Sequence, residues 1–180
     1  MTTPGALDGI VVADFSRVLA GPYATMMLAD LGAEVIKIER PDGGDDTRNW
    51  GPPFDAEGQA TYFNSVNRNK RSVVLDLHSR HGVQQAREIV RGADIVVENF
   101  RTGTMERMGL GYADLVGLKP DLIYCAITGF GSGQGAELPG YDLLVQAVGG
   151  LMSVTGPQPG EPTKAGVALV DVLAGLHAAT

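Results

Sequence analysis

Asp171 sits in the most suggestive chemical setting of this sequence. It is the only formally charged side chain between Ala165 and Thr180, within Gly166-Val-Ala-Leu-Val-Asp-Val-Leu-Ala-Gly175. A carboxylate among apolar residues is costly to desolvate unless it is hydrogen-bonded or used. Two readings are open. Asp is a good N-cap for the helix that follows. Alternatively, a carboxylate at a helix N-terminus, kept ionised by the helix dipole, can serve as a nucleophile or acid–base group.

The cationic side chains add a second signal. Arg17 follows the first apolar run, Arg40 the second, and Arg101 and Arg107 the fourth. If those runs are parallel strands, these arginines gather at the edge where such sheets bind ligands. An anionic ligand is then one reading, and a scattered, solvated set of arginines the other. Gly129-Phe-Gly-Ser-Gly-Gln-Gly135 fits G-x-G-x-x-G in no register, because Gln134 and Ala136 fill the required positions. It reads as a mobile strand-end loop or as one that covers a ligand. His78 and His81 could share a helical turn, but no Cys or acidic partner completes a metal set with them or with His177, so no metal is expected. There is no G-x-x-x-x-G-K-[ST] to cradle nucleotide phosphates and no G-x-S-x-G elbow for serine hydrolysis.

The elements that must position these residues are legible as alternating strands and helices. Ile10–Phe15 reads as a buried strand, Gly21-Pro22 opens a helix that Gly32 ends, and Glu34–Glu39 alternates as a second strand. Residues 41–60 form a long turn-rich segment. Ser72–Leu77 reads as a third strand, followed by a helix from about His81 to Arg91. Ile95–Val97 and Leu122–Ile127 read as the fourth and fifth strands, with short helices around Met105 and Ala113. Alternation of this kind predicts an α/β fold, a Rossmann-like, doubly wound, mostly parallel sheet.

Composition narrows the function. With 180 residues, 44% hydrophobic and 19% charged, the chain has the size and content of one globular domain. A net charge of −7 argues against nonspecific nucleic-acid binding, although not against a local basic pocket. The single cysteine, Cys125, excludes an internal disulfide and fits a reducing compartment. The N-terminus lacks a basic stretch followed by an apolar one, and no apolar run approaches the ~18 residues of a membrane span. A soluble cytoplasmic protein is expected, without a membrane or nucleic-acid partner. The last residues, Leu173-Ala-Gly-Leu-His-Ala-Ala-Thr180, stop inside an apolar stretch without a helix stop signal, so the chain reads as part of something longer.

Several segments, taken in order, resemble class III CoA-transferases. These are Asp14-Phe-Ser-Arg-Val-Leu-Ala-Gly-Pro22, Leu31-Gly-Ala-Glu-Val-Ile-Lys-Ile-Glu-Arg-Pro41 and Gly44-Asp-Asp-Thr-Arg48, then Asn67-Arg-Asn-Lys-Arg-Ser72, Val97-Glu-Asn-Phe100, Met108-Gly-Leu-Gly-Tyr112 and Gly140-Tyr-Asp142. The resemblance runs from about Leu7 to the last residue. It implies that residues 1–180 are the N-terminal part of a large CoA-binding domain, with a small domain and a glycine-rich closing loop further along, and two protomers interlinked as a homodimer. The fragment alone is expected to be inactive.

The resemblance also assigns roles. The family's nucleophilic aspartate falls on Asp171 by its spacing from Gly140-Tyr-Asp142. Its carboxylate attacks an acyl-CoA thioester to give a mixed anhydride, CoA thiolate converts this to an aspartyl-CoA thioester and free acid, and an acceptor carboxylate runs the exchange in reverse. Backbone N–H groups must stabilise each tetrahedral oxyanion. CoA contacts carry over to Arg17, Val18, Ala20, Arg40, Leu75, Asn99, Phe100, Arg107 and Met108, with arginines on the phosphates and Leu75 and Met108 flanking the adenine. CoA or acyl-CoA is thus a substrate, together with a small carboxylic acid, and no tightly bound cofactor is expected. Gly44–Pro53 with Gly129-Phe-Gly131 most resembles members that use succinyl-CoA and dicarboxylic acids. One alternative is the related α-methylacyl-CoA racemases, which carry His-Asp where this chain has Tyr141-Asp142. Tyr, with a pKa of ~10, is a poor base near neutral pH. The other alternative is a noncatalytic CoA- or nucleotide-binding fragment.

Overall fold

The computed structural model describes residues 4–158 and 160–180. Five parallel strands form one sheet in the order β3-β2-β1-β4-β5. They are β1 (Val11–Asp14), β2 (Glu34–Glu39), β3 (Lys70–Val74), β4 (Ile95–Glu98) and β5 (Ile123–Ala126). Connecting helices are α1 (Ala20–Asp30), α2 (Thr61–Asn67), α3 (Arg80–Arg91), α4 (Thr104–Arg107) and α5 (Tyr112–Val116). After β5 come α6 (Asp142–Val148) and α7 (Leu169–Ala179).

Strand alternation sorts the apolar side chains into two layers. Ala13, Phe15, Ile38 and Val96 pack with Ala86, Val90, Met105 and Leu115 of α3, α4 and α5. Val12, Val35 and Val97 pack with Leu28 and Ala29 of α1, and Ala179 of α7 joins that layer. Helices therefore cover both faces, as expected for a doubly wound sheet. Helix α7 lies on α1 at very short range. A Cβ at Gly175 would stand 2.6 Å from the Ala20 carbonyl oxygen, so only glycine permits that approach. No helix among the described residues is long and apolar enough to cross a membrane.

The third strand begins at Lys70, two residues earlier than its apolar pattern suggests, because Lys70 and Arg71 pair with Val35 and Ile36 of β2. The charge of Lys70 is accommodated: its Nζ lies 3.1 Å from Asp14 Oδ2 and donates to the Pro22 carbonyl and the Asn67 side chain at 2.9 Å each. The turn-rich segment also holds more structure than its composition shows. Asp45 accepts from the Thr47 N–H at 3.0 Å and starts a short 3₁₀ helix, Asp46–Asn49.

Lys70 and Asp14 are both almost fully buried on the α1 side of the sheet. Burial works to raise the Asp14 carboxyl, but Lys70, Lys37 and hydrogen bonds from Ser16 and Thr25 outweigh it and hold it down at about 2. Replacing Lys70 by Met removes the nearest cation and leaves a buried carboxylate. Lys70→Met should destabilise the protein by about 3–5 kcal/mol in urea unfolding. The loss should shrink in acid, as Asp14 becomes protonated in the variant at a higher pH than in the parent.

Candidate active site

Strands β1 and β4 are neighbours, yet the chain leaves β1 for α1 on one face and β4 for α4 on the other. A crevice opens at such a switch point, and its walls are the segments after the two strands. Asn99 ties these walls together. Its Oδ1 accepts from the Arg17 N–H at 2.7 Å and its Nδ2 donates to the Arg17 carbonyl at 2.7 Å. The next residue, Val18, has φ +67°, a left-handed conformation that a β-branched residue rarely adopts and that costs on the order of 1–3 kcal/mol. The Val18 N–H donates to the buried Asp45 carboxylate at 3.2 Å, which holds the turn in place.

The arginines line this crevice and its continuation. The Arg17 guanidinium carbon lies 4.8 Å from the centre of the Phe100 ring. Burial first, and then repulsion from the neighbouring Arg40, lower the pKa of Arg17, with Asp46 and Asp45 acting in the opposite sense. An anion between them would relieve that repulsion. Arg40 also donates from Nε to the Asp42 carbonyl at 3.1 Å and pairs with Asp46. Arg107 is exposed and donates to Thr104 Oγ1 at 2.9 Å.

Three adjoining cavities join these residues into a track. The first is lined by Arg17, Val18, Ala20, Asn99, Phe100, Arg101 and Asp171. The second takes Arg17 as a shared wall and adds Arg40, Leu75 and Met108. The third shares Met108 and reaches Arg107. Every residue expected from the sequence to contact CoA lines one of these three cavities, and Asp171 lines the first. The glycine-rich segment after β5 contributes Gly129, Phe130, Gly131 and Gly135 to the wall of the cavity that Asp171 also lines. His78 borders the second and third cavities, whereas Tyr141 edges the first with its side chain largely exposed.

The structure overturns one of the two readings of Asp171. The N-cap of α7 is Ala168, and Asp171 is the third helical residue. Ala168 has no capping group, and Asp142 at the start of α6 supplies one from a distance: its Oδ1 accepts from the Val170 N–H at 2.8 Å. Asp171 is thus released from a capping role. Among the described residues no hydrogen bond or ion pair reaches its carboxylate. Burial, and then the nearby Asp142, raise its pKa to about 6. At pH 7 it is still mostly ionised, and more basic than an ordinary aspartate.

Sequence reasoning left Asp142, Gln146, Asp45 and Lys37 without roles. Lys37 and Asp45 form a buried ion pair of 3.0 Å beneath the Val18 turn. The available signal was a lysine inside an otherwise alternating apolar strand. Gln146 is fully buried on α6 and gave no sequence signal, since a single glutamine in a helix is most often exposed.

The raised pKa of Asp171 carries a linkage consequence. A carboxyl whose folded pKa lies above its unfolded value opposes folding as pH rises past the unfolded pKa, because the unfolded chain ionises more readily. Asp171→Asn should therefore melt a few degrees above the parent at pH 7. The difference should fade below pH 4, as followed by circular dichroism.

Comparison with known proteins agrees with the geometry. The model of CoA-transferase family III matches residues 7–180. The succinate–glutarate CoA-transferase of Agrobacterium fabrum is 51% identical over 177 residues, covering 95% of this chain and 44% of that protein. The acetyl-CoA:oxalate CoA-transferase of Acetobacter aceti is 45% identical over 181 residues, covering 97% of this chain and 46% of that protein. A crystal structure of a CaiB/BaiF family protein from Brucella suis superposes with a TM-score of 0.93 at 48% identity, over 98% of this chain and 48% of that one. The chain thus spans somewhat less than half the length of these relatives. On the match over nearly all of its residues, the chain belongs to CoA-transferase family III.

Proposed function

We propose that the protein carrying this chain transfers CoA from an acyl-CoA donor to a carboxylic acid, with Asp171 as the nucleophile. The observation that carries this reading is the series of three cavities, linked by shared lining residues Arg17 and Met108, that takes in Arg107, Arg40, Arg17 and Asp171. CoA is long and polyanionic at one end and reactive at its thiol end. The track offers cations at one end and a partly desolvated carboxylate at the other. In this reading Arg17, Arg40 and Arg107 meet the phosphates, Leu75 and Met108 hold the adenine, and Val18, Ala20, Asn99 and Phe100 shape the passage to Asp171.

The Asp171 carboxylate attacks the thioester carbonyl and CoA thiolate leaves, giving a mixed anhydride. The thiolate then attacks the aspartyl carbonyl, releasing the donor acid and leaving Asp171 as a CoA thioester. The acceptor carboxylate attacks that thioester and repeats the two steps in the opposite sense, regenerating acyl-CoA and free Asp171. Two modest barriers replace one high barrier. Residues 1–180 serve as the N-terminal part of the large CoA-binding domain, and the protein works as a homodimer in the cytoplasm. The exposed Leu143, Val148, Leu173 and Leu176 of α6 and α7 support an assembly in which further polypeptide covers them. Succinyl-CoA with a dicarboxylate such as glutarate is the favoured substrate pair, on the strength of what the Agrobacterium relative is named for.

In the full-length protein, Asp171→Ala and Asp171→Asn should both abolish transfer while acyl-CoA binding persists, and hydroxylamine added during turnover should label Asp171 alone. An active Asn variant, or an adduct on another residue, would contradict the covalent route. For the track, CoA should bind more tightly than dephospho-CoA in calorimetry. Arg107→Ala should cost about tenfold in CoA affinity, the size expected for one charge-assisted contact, and should narrow that difference. Equal affinities with no loss in the variant would remove Arg107 from the site.

A further inference from the structure

We infer that Gln146 is a positioning residue for Asp171, acting through Asp142 and the segment that leads into α7. This inference rests on the reading of Asp171 as nucleophile. Gln146 is fully buried, and its amide orientation is fixed by its surroundings. Its Oε1 accepts from the Ala165 N–H at 2.8 Å, which only a carbonyl oxygen can do. Its Nε2 must therefore donate, and it does so to Asp142 Oδ2 at 2.7 Å and towards the Val167 carbonyl at 3.4 Å.

Asp142 is thereby held at both oxygens, by Gln146 on one side and by the Val170 N–H on the other. One side chain thus anchors the approach to α7 at Ala165 and Val167 and aligns the carboxylate that caps it. Asp171 is the residue after Val170, in the first turn of α7, and has no partner of its own among the described residues to fix its direction. Its placement depends on this backbone support. Gln146 itself does not line the track and touches no substrate in this arrangement.

The chemistry requires an amide at this position. A glutamate there accepts from Ala165 but, once ionised, faces Asp142 with no proton to share. When protonated it is isosteric with glutamine and donates to Asp142 again. The ionisable and charged groups around the network are Asp142 on α6, Asp171 on α7, Lys164 in the intervening segment and Tyr62 on α2, whose hydroxyl pKa is raised by burial and then by Asp171, Asp45 and Asp142.

The test uses Gln146→Glu and the paired exchange Asp142→Asn/Gln146→Glu in the full-length protein. In the pair, the Asn amide donates to the new carboxylate and its carbonyl still accepts from Val170. Steady-state transfer is measured from pH 5 to pH 8, and hydroxylamine trapping at pH 8 reports the activated Asp171 carbonyl as its hydroxamate. Gln146→Glu should lose about 100-fold in kcat at pH 8, the order expected for a misplaced reacting group, with KM for acyl-CoA within about threefold of the parent. Its kcat relative to the parent should recover towards pH 5, and the paired exchange should recover at least about tenfold at pH 8. A residue that only fills space would give parental kcat in the single variant and no gain in the pair, and either result overturns the role. If the parent gives no adduct on Asp171, the nucleophile reading fails and this role with it. An adduct on Asp171 that is equally strong in the parent and in Gln146→Glu at pH 8 overturns the role of Gln146 alone.

Discussion

The buried charges on the α1 side of the sheet constrain everything built above them. Asp14 ends β1, Lys37 lies within β2 and Lys70 begins β3, all shielded from solvent. A buried charge is tolerated only when it is paired and its remaining donors and acceptors are filled. Lys70 therefore fixes Pro22 and Asn67, Lys37 fixes the Ser16 carbonyl and Asp45, and Asp14 fixes Ser16 and Thr25. The three neighbouring strands, the start of α1, the end of α2 and the turn after β2 can adopt only arrangements that satisfy these groups together. Such pairs add little net stability over an apolar core of equal volume, but they leave few alternative packings.

The site follows from this arrangement. Asp45, held by Lys37, receives the Val18 N–H, and Asn99 grips Arg17 on the other side. A strained turn persists only where its surroundings over-determine it. Here two clamps from different loops keep the Arg17 and Val18 backbone at the mouth of the crevice. Glu39 performs the same service for the next loop: it accepts from Arg48 at 2.6 and 2.7 Å and from the Asp45 N–H at 2.9 Å. The segments after β1 and β2 are therefore held by charged and polar groups rather than by apolar packing.

At the other end of the track the constraint is different. Asp171 is placed by helix packing and by a cap borrowed from α6. The close approach of α7 to α1 at Gly175 sets the distance of the helix from the sheet, and Asp142 with Gln146 sets where its first turn begins. Asp171 is left without a hydrogen-bond or ion-pair partner among the described residues, which suits the role of nucleophile proposed for it.

The sequence alone determined the sheet class, because short apolar runs with helical segments between them admit little besides a doubly wound α/β fold. It also determined that arginines gather at one sheet edge, since parallel strands put all their C-terminal ends together. The isolation of Asp171 in an apolar stretch was visible too, because charge in such a setting is conspicuous. Tertiary structure decided how those residues are placed and which groups hold them. Whether Asp171 capped a helix depended on where α7 started, and that was set by Asp142 and Gln146, which lie 29 and 25 positions away in the chain. The start of β3 at Lys70 depended on Asp14, 56 positions earlier, being there to receive its charge. Local pattern reports propensity and burial. The partner that satisfies a buried polar group is chosen by the folded chain, and it is those partners that turn exposed strand ends into a site.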